Sequence, residues 1–284
     1  VVSSRNIFGK EVSQEKILDE HFSVFDNPKI EKKDVNVKIN EKDKTVEIYA
    51  KIEDSSEVKA YLNLKTYGKI EGNCKNNTCS FILKDLEKGL YRYEIIAKDP
   101  FGNVGNYSDI LAIIPNVTKV ILPVPFVQQP PDKPWCWYTS MEMITRYWHN
   151  TAGTPIITKE EAARAFNGSY TFAQFSKFFG DRGYAGYLCD PNLPKNKTFL
   201  IKLLEDDLKL GYPRVVLILE GHAGALIGFN HQEKKFFYLN PWGLGVQSCD
   251  YDKCYFIVRG DCGTLLLPLD KIPPPYYIRI SSQP

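Results

Sequence analysis

Val124-Pro-Phe-Val-Gln128-Gln129-Pro-Pro-Asp-Lys-Pro-Trp135-Cys136-Trp137-Tyr-Thr-Ser140 is the stretch on which the reading of this 284-residue chain turns. Pro125, Pro130, Pro131 and Pro134 exclude helix up to Cys136 and favour an extended path. Beyond Cys136, Met141, Ile144, Tyr147 and Trp148 fall on one side of a helix over Cys136–Trp148. An extended loop therefore delivers a cysteine to the first position of a helix. Unpaired N–H groups and the helix dipole stabilise a thiolate at such a place, and the thiolate is the nucleophilic form. The competing reading is a buried structural cysteine, and the rest of the chain weighs on that choice.

Downstream, Thr158-Lys-Glu-Glu161 has the form of a capping box opening a helix through Phe166. Thr171-Phe-Ala-Gln174 opens another, ended by Gly183, and Lys197–Leu210 is a third, ended by Gly211. Strands are expected at Arg214–Leu219, Gly224–Phe229, Lys235–Leu239, Tyr255–Val258 and Tyr276–Ile280. Helices first and an antiparallel sheet second give 136–284 an α+β layout.

Upstream, residues 116–135 are a proline-rich boundary leading into the Cys136 loop. From Val35 to Ile114 the apolar period is two. Val35, Val37 and Ile39 alternate with polar residues, as do Val46, Ile48 and Ala50. Further short runs occur at 58–64, 80–83, 91–97 and 110–114, separated by turn signals such as Lys88-Gly and Asp99-Pro-Phe-Gly-Asn. Residues 35–115 thus read as an antiparallel β-sandwich. The stretch from Gly89 to Asn103 resembles the late hairpin of immunoglobulin-like or fibronectin-like modules. Residues 1–34 form a polar leading segment with a helix expected over Gln14–Phe25.

Composition removes several functions. The net charge is +2, and no block of like charges stands out, apart from the Lys-rich stretch 28–51, where acids are interspersed. A nucleic-acid partner gains little from that balance. No apolar run approaches the ~18 residues of a membrane helix. The first residues lack the regions of a signal peptide, so the chain is either cytosolic or had a signal removed. Seven cysteines favour the second case. Cys74 and Cys79 sit five apart, as do Cys249 and Cys254; Cys189 and Cys262 remain, with Cys136. Three disulfides, Cys74–Cys79, Cys189–Cys262 and Cys249–Cys254, leave one free thiol and suit an extracellular setting. The alternative, two halves of a zinc site, lacks a nearby histidine. Sequons at Asn76, Asn106, Asn116, Asn167 and Asn196 agree with secretion.

Two further pieces bear on Cys136. Glu220-Gly221-His222-Ala223-Gly224 places a histidine between glycines at the mouth of a strand, and Leu239 is followed by Asn240-Pro241-Trp242-Gly243. A strand–turn–strand between positions 222 and 240 brings those ends together. An imidazole held by the side chain of a third residue is the general-base arrangement that activates a thiol.

The ordered set Gln128/Gln129, Cys136-Trp137, Gly221-His222 and Asn240-Pro241-Trp242-Gly243 resembles the papain-like cysteine peptidase superfamily. Its bacterial and archaeal branch of C39-like or staphopain-like enzymes is the nearest in appearance. The resemblance covers about residues 120–280 and implies a papain-like catalytic fold. It implies that Cys136 attacks the carbonyl, His222 moves the proton, Asn240 orients the imidazole and Trp242 shields that bond. It also implies that Gln129, or Gln128 if the loop bulges, donates to the oxyanion. Both glutamines lie slightly far from the cysteine because of Pro130-Pro131.

His149 and His231 read as structural, and within the aromatic cluster only Trp135 and Trp137 are expected to border the site. Asp250 and Asp252 offer too few oxygens for calcium to be more than a weak alternative, so no cofactor is required. The expected activity is hydrolysis of protein or peptide substrates by a secreted monomer, with residues 1–115 serving as inhibitory pro-region, binding module or spacer. Acyl transfer or cell-wall amide hydrolysis by the same chemistry, and an inert surface binding protein, are the competing functions.

Overall fold

The structure is a computed structural model that describes residues 3–5, 11–13, 27–40, 43–65, 67–166, 171–190, 192, 194, 196–271, 273 and 277–279. The chain divides into two compact units, Val1–Ile113 and Ile114–Pro284. The helix expected over Gln14–Phe25 lies outside the described residues.

In the first unit, β1 (Ser3–Arg5) pairs antiparallel with β2 (Glu11–Ser13). Then come β3 (Val35–Asn40), β4 (Thr45–Lys51), β5 (Lys59–Leu64), β6 (Gly68–Glu71), β7 (Asn73–Lys75), β8 (Thr78–Lys84), β9 (Gly89–Lys98) and β10 (Val104–Ile113). They form two four-stranded antiparallel sheets, ordered β10-β9-β5-β6 and β3-β4-β8-β7. The sequence alternation explains the layering. Val46, Ile48 and Ala50 of one sheet share a single buried core with Leu62, Leu64, Tyr93 and Ile95 of the other. Each large apolar side chain so buried contributes about 1.5–3 kcal/mol.

Two local features shape this unit. Asn76 and Asn77 take φ of 49° and 55° between β7 and β8, the backbone that a two-residue hairpin turn needs. That turn puts Cys74 opposite Cys79, and the two are bonded. Strand β10 starts six residues earlier than the expected 110–114. The Asp99 carboxylate accepts the N–H groups of Phe101 and Asn103, closing a tight turn that lets Val104 pair at once with Lys98.

The second unit opens with β11 (Lys119–Ile121), then α1 (Cys136–Ala152), α2 (Lys159–Phe166), α3 (Phe172–Gly180), β12 (Tyr184–Cys189) and α4 (Lys197–Leu210). It continues through β13 (Arg214–Leu219), β14 (His222–Asn230), β15 (Lys235–Asn240), β16 (Gly245–Asp250), α5 (Tyr255–Arg259), β17 (Thr264–Pro268) and β18 (Tyr277–Arg279). One antiparallel sheet runs β16-β15-β14-β13-β17-β12-β18, with β11 against the far end of β14. Every residue of β14 is buried, so it is the spine of this unit.

The helices form where the caps lie. The Glu161 N–H donates to Thr158 Oγ1, Thr171 and Gln174 make a reciprocal capping box, and Asn196 caps α4, which ends at Gly211. Helix α3 stops at Gly180, three residues short of the expected Gly183, and a turn fills the gap. Helix α1 is pinned by its own buried side: Trp148 Nε1 donates to the Leu266 carbonyl at 2.8 Å and the Tyr147 hydroxyl to the Gly211 carbonyl at 2.9 Å.

One expected strand is a helix. Tyr255–Val258 belongs to α5, and its burial shows why. The adjacent residues Phe256 and Ile257 are both buried whereas Val258 is exposed, a pattern that strand alternation cannot produce. The Cys249–Cys254 bond closes the turn before it, and Gly260 at φ 68° ends it. Helices and sheet also interleave more than expected, because β12 falls between α3 and α4. A buried ion pair between Arg214 and Asp207 and the Cys189–Cys262 bond join these later elements, and Arg214 Nη1 also donates to the Cys262 carbonyl.

Candidate active site

The sheet brings the site residues to one end. Strand β14 runs antiparallel to both neighbours, so its first residue and the last residue of β15 lie at the same edge. Leu219 pairs with His222 across the turn Glu220-Gly221, and Asn240 pairs with Gly245 across the next turn. Gly221 has φ of 66°, the left-handed backbone that glycine adopts without strain. The Gly221 carbonyl lies 3.9 Å from the sulfur of Cys136 at the start of α1, so the thiol sits against the turn that presents His222. Cys136 is the one unbonded cysteine, beside Cys74–Cys79, Cys189–Cys262 and Cys249–Cys254.

His222 and Asn240, eighteen residues apart, meet through Nε2 and Oδ1 at 2.9 Å, and both are buried. The Asn240 carboxamide is oriented from two sides. Its Oδ1 also accepts the Trp242 N–H at 3.1 Å, and its Nδ2 donates to Gln247 Oε1 at 3.0 Å. An oxygen that accepts a backbone N–H faces Nε2 as an acceptor, so Nε2 carries the hydrogen and Nδ1 is the free base. Burial lowers the His222 pKa from its ordinary 6.5, and the Asn240 bond opposes that shift in part. The indole of Trp242 stacks on the imidazole, with centroids 3.6 Å apart and planes at 18°, while its other face is exposed.

The two glutamines part company. Gln129 is buried; its N–H donates to the Pro241 carbonyl at 2.8 Å and its Nε2 to the Lys133 carbonyl at 3.0 Å. That second bond uses one of the two Nε2 hydrogens. Gln129 Oε1 is among four buried side-chain atoms without a partner among the described residues. Gln128 is exposed, with its amide nitrogen 2.8 Å from where a side chain on Gly243 would begin. Gly243 itself has φ of 85°, so this position is reserved for glycine on two counts.

The remaining side chains have these partners. Trp137 packs with Tyr138, Phe166 and Phe175 at ring distances of 5.6–6.4 Å. His149 bonds the Thr154 carbonyl behind α1. His231 is exposed and bonds Glu205, which accepts the Tyr251 hydroxyl as well. Asp250 pairs with Lys253, and no three acidic, histidine or cysteine side chains among the described residues are grouped to hold a metal ion. Sequence reasoning missed Gln247, because the polar run Gly245–Asp250 gives no strand signal. The signal that exists is positional, since the Asn240–Gly245 turn fixes the register of residues 245–250 against β15.

A thiol at a helix start, against the turn that presents an imidazole oriented by an asparagine, has the components of a cysteine peptidase-like arrangement. Residues 121–257, which hold all of these groups, match the Peptidase_C39 like family, and the match supports a cysteine peptidase-like superfamily. No curated protein matches the chain. Among solved structures, the crystal structure of CBM31 from beta-1,3-xylanase is similar over 28% of this chain and 90% of that one, at 18% identity and a TM-score of 0.24, a likeness too slight to carry weight. No helix among the described residues is long and apolar enough to cross a membrane.

Proposed function

We propose that this protein is an extracellular cysteine endopeptidase whose nucleophile is Cys136. The observation that carries this reading is the Asn240–His222 bond at the sheet end where the Cys136 thiol meets Gly221. In the reaction, the Cys136 sulfur bonds to the substrate carbonyl carbon while its proton passes to His222 Nδ1. The oxygen of the tetrahedral intermediate takes the negative charge. The Cys136 N–H and the second Nε2 hydrogen of Gln129 donate to it, and one such donor is worth about 3 kcal/mol. Collapse breaks the C–N bond, and the amine leaves with the proton from His222. A water molecule then gives its proton to His222 and attacks the thioester, releasing the acid and restoring the thiol. Asn240 holds the imidazole in the tautomer this requires, and Trp242 screens that bond from water.

The three disulfides support an extracellular location. The substrate is a protein or peptide, the active form is a monomer, and the two-sheet unit is an immunoglobulin-like or fibronectin-like module. That module acts as a pro-region whose removal raises activity. The test of the chemistry is labelling with a thiol-directed epoxide inhibitor. About one label per chain at Cys136, abolished in Cys136→Ala and greatly slowed in His222→Ala, is the expected result. Slow labelling that ignores His222 shows an inert thiol instead.

A further inference from the structure

We infer that Gln247 is a positioning residue for the proposed peptidase chemistry, acting through Asn240; this rests on the peptidase reading of Cys136, His222 and Asn240. A carboxamide has two ends of almost equal shape, one accepting and one donating. Only one orientation of Asn240 serves the proposed reaction. With Oδ1 toward His222, Nε2 carries the hydrogen and Nδ1 is free to take the thiol proton. With the amide reversed, Nδ2 faces the ring, Nε2 becomes the acceptor, and the hydrogen moves to Nδ1, which can no longer act as base.

Two groups hold the productive orientation. The Trp242 N–H is a fixed backbone donor against Oδ1. Gln247 Oε1 accepts from Nδ2 at the opposite end. Asn240 is buried, so without Gln247 its amide hydrogens have no such acceptor and the side chain gains an alternative rotation. Strand register places Gln247 for this task. Asn240 pairs with Gly245 and Tyr238 with Gln247, so the turn Pro241–Leu244 returns the chain with Gln247 two pairs inward from the asparagine, on the same face. The half-buried Gln247 does not touch the reacting atoms; it acts only through Asn240.

The test compares Gln247→Leu with Gln247→Glu in the full chain. Leucine keeps the bulk and removes the acceptor, whereas a glutamate oxygen still accepts from Asn240 Nδ2. The leucine variant is expected to lower kcat about tenfold with KM unchanged, the lower end of the loss seen when the hydrogen-bond partner of a metal-bound imidazole is removed. The glutamate variant restores kcat, and its added charge raises the His222 titration midpoint. NMR of Cys136→Ala gives a readout free of turnover: the Asn240 side-chain amide protons exchange slowly, and adding Gln247→Leu makes them exchange faster. A leucine variant with unchanged kcat and unchanged exchange overturns the assignment, as does a glutamate variant as impaired as leucine at equal thermal stability. If the wild-type chain cleaves no peptide yet the NMR changes occur, the positioning role stands and the peptidase reading falls.

Discussion

At the scale of single residues, the site depends on how His222 is kept uncharged. Burial disfavours the imidazolium, and the bond to Asn240 works against that by a smaller amount. In a Cys136→Ala chain, where no thiolate couples to the ring, NMR titration of His222 should give a midpoint below 6.5. Asn240→Ala should move it lower still, because the opposing bond is gone; an upward move would contradict that balance. The same shift bears on stability. The folded chain binds fewer protons than the unfolded one just below pH 6.5, so this contribution is complete above that value and is lost as pH falls from there through the lower folded value. Cys136, His222 and Asn240 stand out in the sequence because each lies within two residues of a breaker, Pro134, Gly221 or Pro241, that marks the end of an element. Gln247 does not, since its role is set by a cross-strand register that no local pattern encodes.

At the scale of elements, capped helices and alternating strands were readable and the short apolar runs were not. Tyr255–Val258 has β-rich composition, yet it lies between a disulfide-closed turn and Gly260 and buries two neighbours in succession. Strands β12 and β17 escaped notice for the opposite reason. Tyr184, Ala185, Gly186 and Tyr187 are all buried, as are residues 265–268, and strands covered on both faces show no alternation. The disulfides also differ in what they do for these elements. Cys74–Cys79 spans 5 residues and Cys189–Cys262 spans 73. On loop entropy alone the first contributes about 2 kcal/mol and the second about 4 kcal/mol. Replacing both members of each pair with alanine and measuring denaturant unfolding should therefore cost more for Cys189–Cys262. An equal or reversed order would show that chain entropy does not govern these bonds here.

At the scale of the whole molecule, the division at Ile113–Ile114 leaves the proline-rich stretch with the second unit. Lys119, Val120 and Ile121 pair with Asn230, Phe229 and Gly228, the Leu122 N–H donates to the Ile227 carbonyl, and Gln129 is bonded to Pro241. The extended path was readable from the prolines, but its partners, about a hundred residues away, were not. A chain of residues 116–284 keeps all of these bonds. It is expected to hydrolyse casein several-fold faster than the full-length protein if residues 1–115 restrain the enzyme, and equal rates would remove the pro-region proposal.

The pairing of β11 with the end of β14 has a consequence for the order in which the protein is made. Synthesis runs from the amino terminus, so β11 and the Gln129 loop leave the ribosome about a hundred residues before the strand and carbonyl that bind them. Until His222 and Pro241 emerge, the thiol has neither the proposed base nor a fixed approach loop. Contacts of such long sequence separation form late and slowly. On the proposed peptidase reading, an unfinished chain thus carries Cys136 before the groups that would let it act are in place.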